Sequence, residues 1–210
     1  MKTKDSKLLL KINGKTVLER SVNAFLNISD VDEVIVVARE KDIPAFSDIL
    51  TDERVSFVVG GDTRQQSVMN ALDVIDDCEL IIIHDGARPL IKGEDIENTI
   101  RAAKENKAAA VGVFVKDTVK VVDKNGFVVS TPDRNTLFAV QTPQIFDFEL
   151  YRKAAQNARE KGLDFTDDCQ LVESFNQKVK TVVGSYSNIK ITTPDDIVLA
   201  ENLLKNEALI

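Results

Sequence analysis

The chain is poor in the residues that build metal centres and nucleophilic triads. Its 210 residues include one histidine, two cysteines and no tryptophan. A single histidine excludes a multi-histidine metal site and gives little support to a Ser-His or Cys-His nucleophile. The two cysteines, Cys78 and Cys169, do not have a metal-ligand spacing.

The chain also lacks an excess of positive charge and long apolar runs. Its 34 acidic and 27 basic residues give a formal net charge of -7, which argues against a general nucleic-acid or anionic-membrane binder. No signal peptide and no membrane-length apolar segment are recognisable, so we expect a cytoplasmic protein. No repeat or linker interrupts the sequence, which predicts one domain over residues 1–210.

Apolar runs typical of buried strands alternate with stretches of helical periodicity. Strands are expected at 34–38, 55–59, 80–83 and 109–115, and helices at 17–26, 64–75 and 94–106. This order predicts an α/β fold with a Rossmann-like, open and mostly parallel sheet that carries helices on both faces.

The alternation breaks at Val119, where two apolar runs flank the turn 123–126. Its Asn-Gly pair suits the positive φ angles of a tight turn, so we expect a projecting β-hairpin arm at about 117–136. Such an arm is too small to be stable alone, and we expect it to pack on another surface such as a second subunit. Beyond it, strands are expected at 137–141, 179–183 and 189–191, and helices at 148–161, from about 166 and from 194.

The segment after the strand 80–83 carries the most informative polar residues. Gly86 and Pro89 end the strand, and Asp85 and Arg88 follow it directly. Ligands bind at the carboxyl edge of such sheets. Asp85 can hold a divalent cation, and Arg88 can bind a phosphate through two N–H donors. A simple salt bridge within the loop would give the same pattern.

A second candidate is the segment Gly60-Gly61-Asp62-Thr63-Arg64, which joins a predicted strand to a helix. Glycines allow a ligand to approach the backbone, and the N-terminus of a helix favours anions. An ordinary turn between a strand and a helix would look the same.

Several basic residues have both an ordinary and a functional interpretation. The N-terminus is basic through Lys4, Lys7, Lys11 and Lys15. They form either a solvated terminus or a group with one lysine that faces phosphate. Arg134 belongs either to a turn or to an anion clamp, and the segment 141–144 can also be turn chemistry. Lys190 is expected to point away from the core, as an outward lysine on an edge strand would.

Taken in order, these motifs resemble the 2-C-methyl-D-erythritol 4-phosphate cytidylyltransferases of the non-mevalonate isoprenoid pathway. The resembling segments are Lys7 with Leu10 and Gly14, Gly60-Gly61-Asp62 with Arg64 and Ser67, His84 to Pro89, Lys116 to Lys120, Asp133-Arg134-Asn135, Gln141 to Gln144, Thr166-Asp167 and Asn188 to Thr192. The resemblance implies a nucleotide-diphospho-sugar transferase type of fold. It also implies transfer of CMP from CTP to the sugar-alcohol phosphate with release of pyrophosphate, Mg²⁺ or another divalent cation, and a homodimer joined by the arm.

The resemblance also implies roles for individual residues. Those of the catalytic group are Lys7, Asp85 and Lys190, with Asp85 as the metal ligand. Those on the nucleotide side are Gly60, Gly61, Asp62, Arg64 and Ser67. Those around the second substrate are Arg88, Thr118, Arg134, Thr142 and Thr166, of which Arg134 and Thr142 come from the partner subunit. In-line phosphoryl chemistry needs positioning and charge neutralisation more than a covalent nucleophile, which suits a chain without a triad.

The sequence departs from the family at its start. The family begins with a strand and a Gly-x-Gly-x-Arg-Met loop that wraps the triphosphate, and neither precedes Lys7 here. We expect Met1 to be an internal methionine, with true loss of the loop as the alternative, and the chain as written to be weakly stable or weakly active. Ser6, Leu8 and Ser187 also replace the usual Pro, Gln and Asp.

Two other functions remain open on the sequence alone. One is a ribitol 5-phosphate cytidylyltransferase, and the other is a catalytically silent dimer that binds a sugar phosphate. Gly86 and Ala87 favour the methylerythritol phosphate enzyme, because the ribitol relative tends to carry Ser-Val at these positions.

Overall fold

A computed structural model describes residues 6–207 of the chain, and side chains to residue 205. Met1 and Lys4 therefore lie outside the described residues. The helices are α1 (Val17–Leu26), α2 (Ile43–Ser47), α3 (Arg64–Leu72), α4 (Gly93–Asn106), α5 (Phe148–Lys161), α6 (Asp168–Ser174) and α7 (Asp195–Glu207). The strands are β1 (Lys11–Ile12), β2 (Lys15–Thr16), β3 (Val34–Ala38), β4 (Val55–Val59), β5 (Leu80–Ile83), β6 (Ala108–Phe114), β7 (Val121–Val122), β8 (Val128–Ser130), β9 (Phe138–Asp147) and β10 (Lys180–Val183).

Two of the predicted helices begin at a capping threonine. Thr16 caps α1 and Thr63 caps α3, and each N-cap is reinforced by a Glu or Gln three residues later. The last turn of α5 leads into Gly162 in the left-handed conformation, which the sequence also predicts as its end.

The largest sheet has the strand order β5-β9-β6-β10. Strand β10 runs parallel to β6, whereas β9 is antiparallel to both of its neighbours. The Rossmann-like α/β class is confirmed, and β9 is the element that departs from the parallel expectation. It also extends well beyond the predicted strand 137–141 and contains the cis bond between Thr142 and Pro143.

A second sheet consists of the parallel pair β3 and β4. Helix α1 packs Leu18 and Val22 against β3, while α3 contacts β3 and β4 and lies in the same apolar cluster as Ile81 and Ile83 of β5. The two helices thus join the two sheets. Within residues 6–207, β3 pairs only with β4 and β5 pairs only with β9.

The projecting hairpin is present, with β7 and β8 antiparallel around a turn in which Gly126 has a φ of 87°. Its strands are shorter than the apolar runs that predict them. Its apolar side chains lie on the surface: Phe127 is 72% exposed and Val129 is 66% exposed. The arm therefore buries little of its apolar surface within one chain.

The predicted strand 189–191 is wrong, because this segment is irregular in the structure. The backbone N–H of Asn188 donates to Ser185 O inside a turn, and the N–H of Ile191 donates to Ala87 O at 2.8 Å. These contacts replace a strand ladder. The short hairpin β1–β2 escaped prediction since strands of two residues show no periodicity, although Asn-Gly at its turn is the usual signal.

Within the described residues, no helix combines the length and the apolar character that crossing a membrane requires.

Candidate active site

Asp85 lies at the centre of a cluster of charges beyond the end of β5. Its carboxylate is 2.9 Å from Lys190 Nζ, 3.6 Å from Arg88 Nε and 3.9 Å from Arg64 Nε. Only 18% of the Asp85 side chain is exposed. One carboxylate among three cationic groups leaves an excess of positive charge, which favours a polyanionic ligand.

The cluster keeps Asp85 in its ionised form. Burial raises the pKa of this carboxyl group, but the hydrogen bond and charge of Lys190, with the charges of Arg64 and Arg88, outweigh burial and lower it. A permanently ionised Asp85 can accept hydrogen bonds or coordinate a cation at neutral pH.

The loop that carries Lys190 is held to the rest of the site by Asn188. Its buried side-chain amide donates to Gln141 Oε1 at 2.9 Å and to Thr142 O at 3.0 Å. Its backbone carbonyl accepts from Arg88 Nη1 at 2.8 Å. These bonds join the loop to β9 and to the segment after β5, so they fix where Lys190 meets Asp85.

Lys7 reaches the same loop from the N-terminal part of the chain. Residues Lys7–Leu9 form a short 3₁₀ helix, and the Lys7 ammonium donates to Ile191 O at 2.9 Å. Lys7 therefore contacts the residue next to Lys190 in the same loop. Because of this contact, the first of the two sequence interpretations of Lys7, a solvated terminal lysine, is wrong.

The turn from Gly60 to Thr63 is closed by side chains of α3. Ser67 Oγ accepts from the Gly61 N–H at 3.1 Å, and Gln66 Oε1 accepts from the Asp62 N–H at 2.9 Å. A Cβ atom at Gly61 would lie 2.5 Å from Gln66 Cβ, which explains the need for glycine. Both backbone donors already have partners inside the turn, and Arg64 is the residue of this segment that contacts Asp85.

Thr142 lies within the Asp85 cluster of its own chain. Its hydroxyl accepts from the Asp85 N–H at 3.0 Å and is 3.1 Å from His84 Nδ1. This corrects the expectation that the partner subunit supplies Thr142. Thr142 is 4% exposed, so its side chain is also part of the packing between β9 and the end of β5.

Three other predicted residues lie outside the cluster. Arg134 is exposed and donates to Lys116 O at 3.3 Å, at the base of the arm. Thr118 is exposed in the irregular segment between β6 and β7. Thr166 is exposed, and its hydroxyl donates to Gln170 Oε1 at 3.2 Å, so its contact is with α6.

Sequence reasoning missed a buried polar group next to the cluster. Asp168, 2% exposed, pairs with Arg64 at 2.6 Å and accepts from the Tyr151 hydroxyl at 2.5 Å. From the sequence, roles are assigned to Thr166 and Asp167 but none to Asp168, and Asp167 is the N-cap of α6. A second aspartate immediately after a capping aspartate was the available signal.

The one histidine of the chain is buried against Phe25, with ring centroids 4.7 Å apart. His84 Nε2 is 3.1 Å from Arg88 O, so this nitrogen carries the proton and Nδ1 accepts from the Thr142 hydroxyl. Burial lowers the pKa of His84 to about 4, although its hydrogen bonds and the charge of Asp85 raise the pKa by a smaller amount. His84 is thus a neutral support for the loop.

We expect the His84 imidazole to titrate at about pH 4 in the folded protein. In the unfolded chain it titrates near 6.5, so its contribution to stability is complete above about pH 6.5 and is lost as the pH falls toward about 4. The NMR chemical shifts of the imidazole, followed against pH, give this pKa, and no second histidine overlaps with its signals. A midpoint near 6.5 in the folded protein would contradict a buried neutral ring, and His84→Gln should remove this part of the pH dependence of unfolding.

Comparisons with known proteins agree with this arrangement. The family model for 2-C-methyl-D-erythritol 4-phosphate cytidylyltransferase matches residues 1–206. Curated proteins of that name from Desulforamulus reducens and Caldanaerobacter subterraneus are 44% and 48% identical and cover 98% and 95% of this chain, which spans 90% and 91% of their lengths.

Solved structures show the same likeness. The 4-diphosphocytidyl-2C-methyl-D-erythritol synthase of Anaerococcus prevotii has a TM-score of 0.87 at 38% identity, and the match covers 93% of this chain and 88% of that one. The Thermus thermophilus cytidylyltransferase has a TM-score of 0.82 at 33% identity, with 95% and 93% covered. The chain therefore belongs to the 2-C-methyl-D-erythritol 4-phosphate cytidylyltransferase family, whose members transfer CMP from CTP to that phosphate in isoprenoid biosynthesis.

Proposed function

We propose that the Asp85 cluster is the site at which this chain joins CMP to 2-C-methyl-D-erythritol 4-phosphate. The observation that carries the proposal is the meeting of one ionised carboxylate with Lys190, Arg88 and Arg64 at the end of β5. A phosphate oxygen of the acceptor attacks the α-phosphate of CTP, and pyrophosphate leaves. Both reactants are polyanions, so the excess of positive charge opposes their mutual repulsion.

In this reaction the lysines act on the charge that develops at the α-phosphate. Lys190 is accessible to a phosphate, because 44% of its side chain is exposed. Lys7, fixed to the same loop through Ile191 O, adds a second ammonium group. Preorganised charges of this kind stabilise a transition state without reorganisation at the moment of reaction.

The nucleotide and the acceptor would occupy opposite sides of Asp85. On the nucleotide side we place Gly60, Gly61, Asp62, Arg64 and Ser67, which form or adjoin the turn before α3. On the acceptor side we place Arg88, Thr142 and Thr166, with Thr118 and Arg134 from the base of an arm. Arg88 is held by Asn188 O and can present its remaining N–H donors to a phosphate.

Enzymes of this family use divalent cations, and we propose Asp85 as the protein ligand for Mg²⁺. Within residues 6–207 no three His, Cys, Asp or Glu residues form a metal-binding group. Mg²⁺ is commonly held by one or two carboxylates together with substrate phosphates, and the single carboxylate of Asp85 fits that mode. When bound, the cation would neutralise phosphate charge and polarise the bond that breaks.

We further propose that the enzyme is a homodimer joined by the arms. The arm exposes Val121, Val122, Phe127, Val128 and Val129, each at least 45% accessible. A two-stranded hairpin with this much exposed apolar surface gains stability by packing on another surface. Arg134 at the base of each arm would then serve the Asp85 cluster of the other subunit, which accounts for its distance from that cluster in its own chain.

The function is tested by pyrophosphate release from CTP and Mg²⁺, with methylerythritol 4-phosphate and ribitol 5-phosphate as parallel acceptors. We expect turnover with the first acceptor and at least about 100-fold less with the second, because pocket hydrogen bonds to one polyol leave the other unpaired. Equal rates would contradict the acceptor assignment. CTP and acceptor binding without turnover would favour a silent binding protein.

Replacing Lys7 with Ala should lower kcat by about 100-fold, as loss of one preorganised charge does, while CTP binding weakens far less. Steady-state kinetics and calorimetric titration with CTP measure the two effects separately. Lys11→Ala, which removes a nearby exposed lysine, is the matched control. Equal losses in turnover and CTP affinity would mean that Lys7 only binds.

Mixing inactive Arg134→Ala and Lys7→Ala subunits should restore activity, because each hybrid dimer regains one site with both residues intact. Random exchange predicts about a quarter of the wild-type rate, since half of the dimers are hybrids with one working site. The mixture is compared with each variant alone after the same denaturation and refolding. No recovery despite proven subunit exchange would exclude a shared site.

A further inference from the structure

We infer that Asp168, supported by Tyr151, is the positioning residue that holds Arg64 in place beside Asp85. The inference rests on the proposed role of Arg64 on the nucleotide side. Asp168 makes its own contact with Arg64 and acts through it.

The contact between Asp168 and Arg64 is short and shielded from water. Arg64 Nη1 lies 2.6 Å from Asp168 Oδ2, and the Asp168 side chain is 2% exposed. Burial lowers the pKa of Arg64, but the charge and hydrogen bond of Asp168 outweigh this and raise it. The guanidinium is therefore charged and anchored at one end.

Asp168 is itself fixed from two directions. Its other oxygen, Oδ1, accepts from the hydroxyl of Tyr151, a residue that is 1% exposed on α5. Its backbone N–H and that of Cys169 both donate to Gln144 Oε1, each at 3.1 Å. Gln144 pairs in register with Ile83, the last residue of β5. The carboxylate is thus connected to the strand that presents Asp85.

Arg64 lies between two carboxylates that compete for it. Its Nη1 is 2.6 Å from Asp168, whereas its Nε is 3.9 Å from Asp85. Coulomb attraction rises as the distance falls, so the Asp168 contact determines where the guanidinium sits. Without it, Arg64 would be free to close onto Asp85, and the donors that remain for a nucleotide phosphate would be withdrawn.

A buried ion pair is poor evidence for a stabilising role, because the loss of hydration of both partners offsets their attraction. Apolar residues in place of both Asp168 and Arg64 would avoid that loss of hydration. A buried carboxylate that instead receives Tyr151 and Arg64 therefore indicates control of orientation at the edge of the site.

Asp168→Asn keeps the shape of the side chain and removes its charge. We expect the KM for CTP to rise about tenfold, with kcat and the KM for the sugar phosphate changed by less than about threefold. Tyr151→Phe, which removes one hydroxyl, should give a smaller rise in the same direction. Asp73→Asn, which breaks the exposed pair between Asp73 at the end of α3 and Arg159 of α5, is the matched control and should leave all three parameters unchanged.

A double-mutant cycle separates positioning from general stability. If Asp168 acts through Arg64, adding Asp168→Asn to Arg64→Ala should not raise the KM for CTP further. A KM increase in the double variant equal to the product of the two single-variant increases would overturn the inference, as would an unchanged KM in Asp168→Asn and Tyr151→Phe. Thermal unfolding of each variant identifies any effect that comes from loss of fold, and Tyr151→Phe remains informative if Asp168→Asn is unstable.

The wild-type assay separates this inference from the proposed function. Lack of turnover in the wild type would contradict the proposed function alone. In that case the same variants are compared by their Kd for CTP, measured by calorimetry. A rise in Kd from Asp168→Asn that disappears in the Arg64→Ala background still supports positioning. A rise that is the same in both backgrounds overturns it.

Discussion

The functional architecture depends on the charge balance around a single carboxylate. Asp85 binds Lys190 directly and lies within the fields of Arg88 and Arg64, so it is ionised while the site as a whole is positive. This one arrangement meets two opposite requirements of the proposed reaction. A cation needs an ionised carboxylate, and two phosphorylated substrates need an environment that lowers their mutual repulsion.

Each charge reaches that point from a different part of the chain. Arg64 opens α3, Asp85 and Arg88 follow β5, and Lys190 lies in the loop between β10 and α7. The side chains of Asn188 and Thr142 join the last two of these segments by hydrogen bonds in the middle of β9. The site therefore depends on contacts between residues that are far apart in sequence.

The elements that sequence alone predicts well are those with local signals. The strand 80–83 and the two polar residues after it are recognisable because an apolar run ends in glycine and proline. Lys190 was placed on a strand that does not form, since its alternating apolar neighbours mimic β periodicity while their backbone bonds go to Ala87 and to a local turn. Its functional interpretation came from the resemblance to the family.

The residues that sequence reasoning missed act through long-range contacts. Asp168 and Tyr151 are adjacent because α5 and α6 pack together, and the second aspartate after a capping aspartate does not identify Tyr151 as its partner. Likewise, the antiparallel course of β9 is invisible to periodicity, which reports burial but not strand direction. Gln144, whose side chain accepts from the first N–H groups of α6, belongs to a segment that the sequence assigns to a turn or to the family resemblance, without this structural role.

The neutral state of His84 has a consequence for how the enzyme responds to acidity. Histidine is the side chain that ordinarily changes charge near neutral pH, and here the only one is tuned to about 4 by burial. The pKa of Asp85 is also lowered. Neither group then changes its charge across the physiological range. The second ionisation of a phosphate monoester, at about pH 6, lies within that range, so the nucleophilic substrate brings its own proton switch to a site whose carboxylate and histidine do not change charge there.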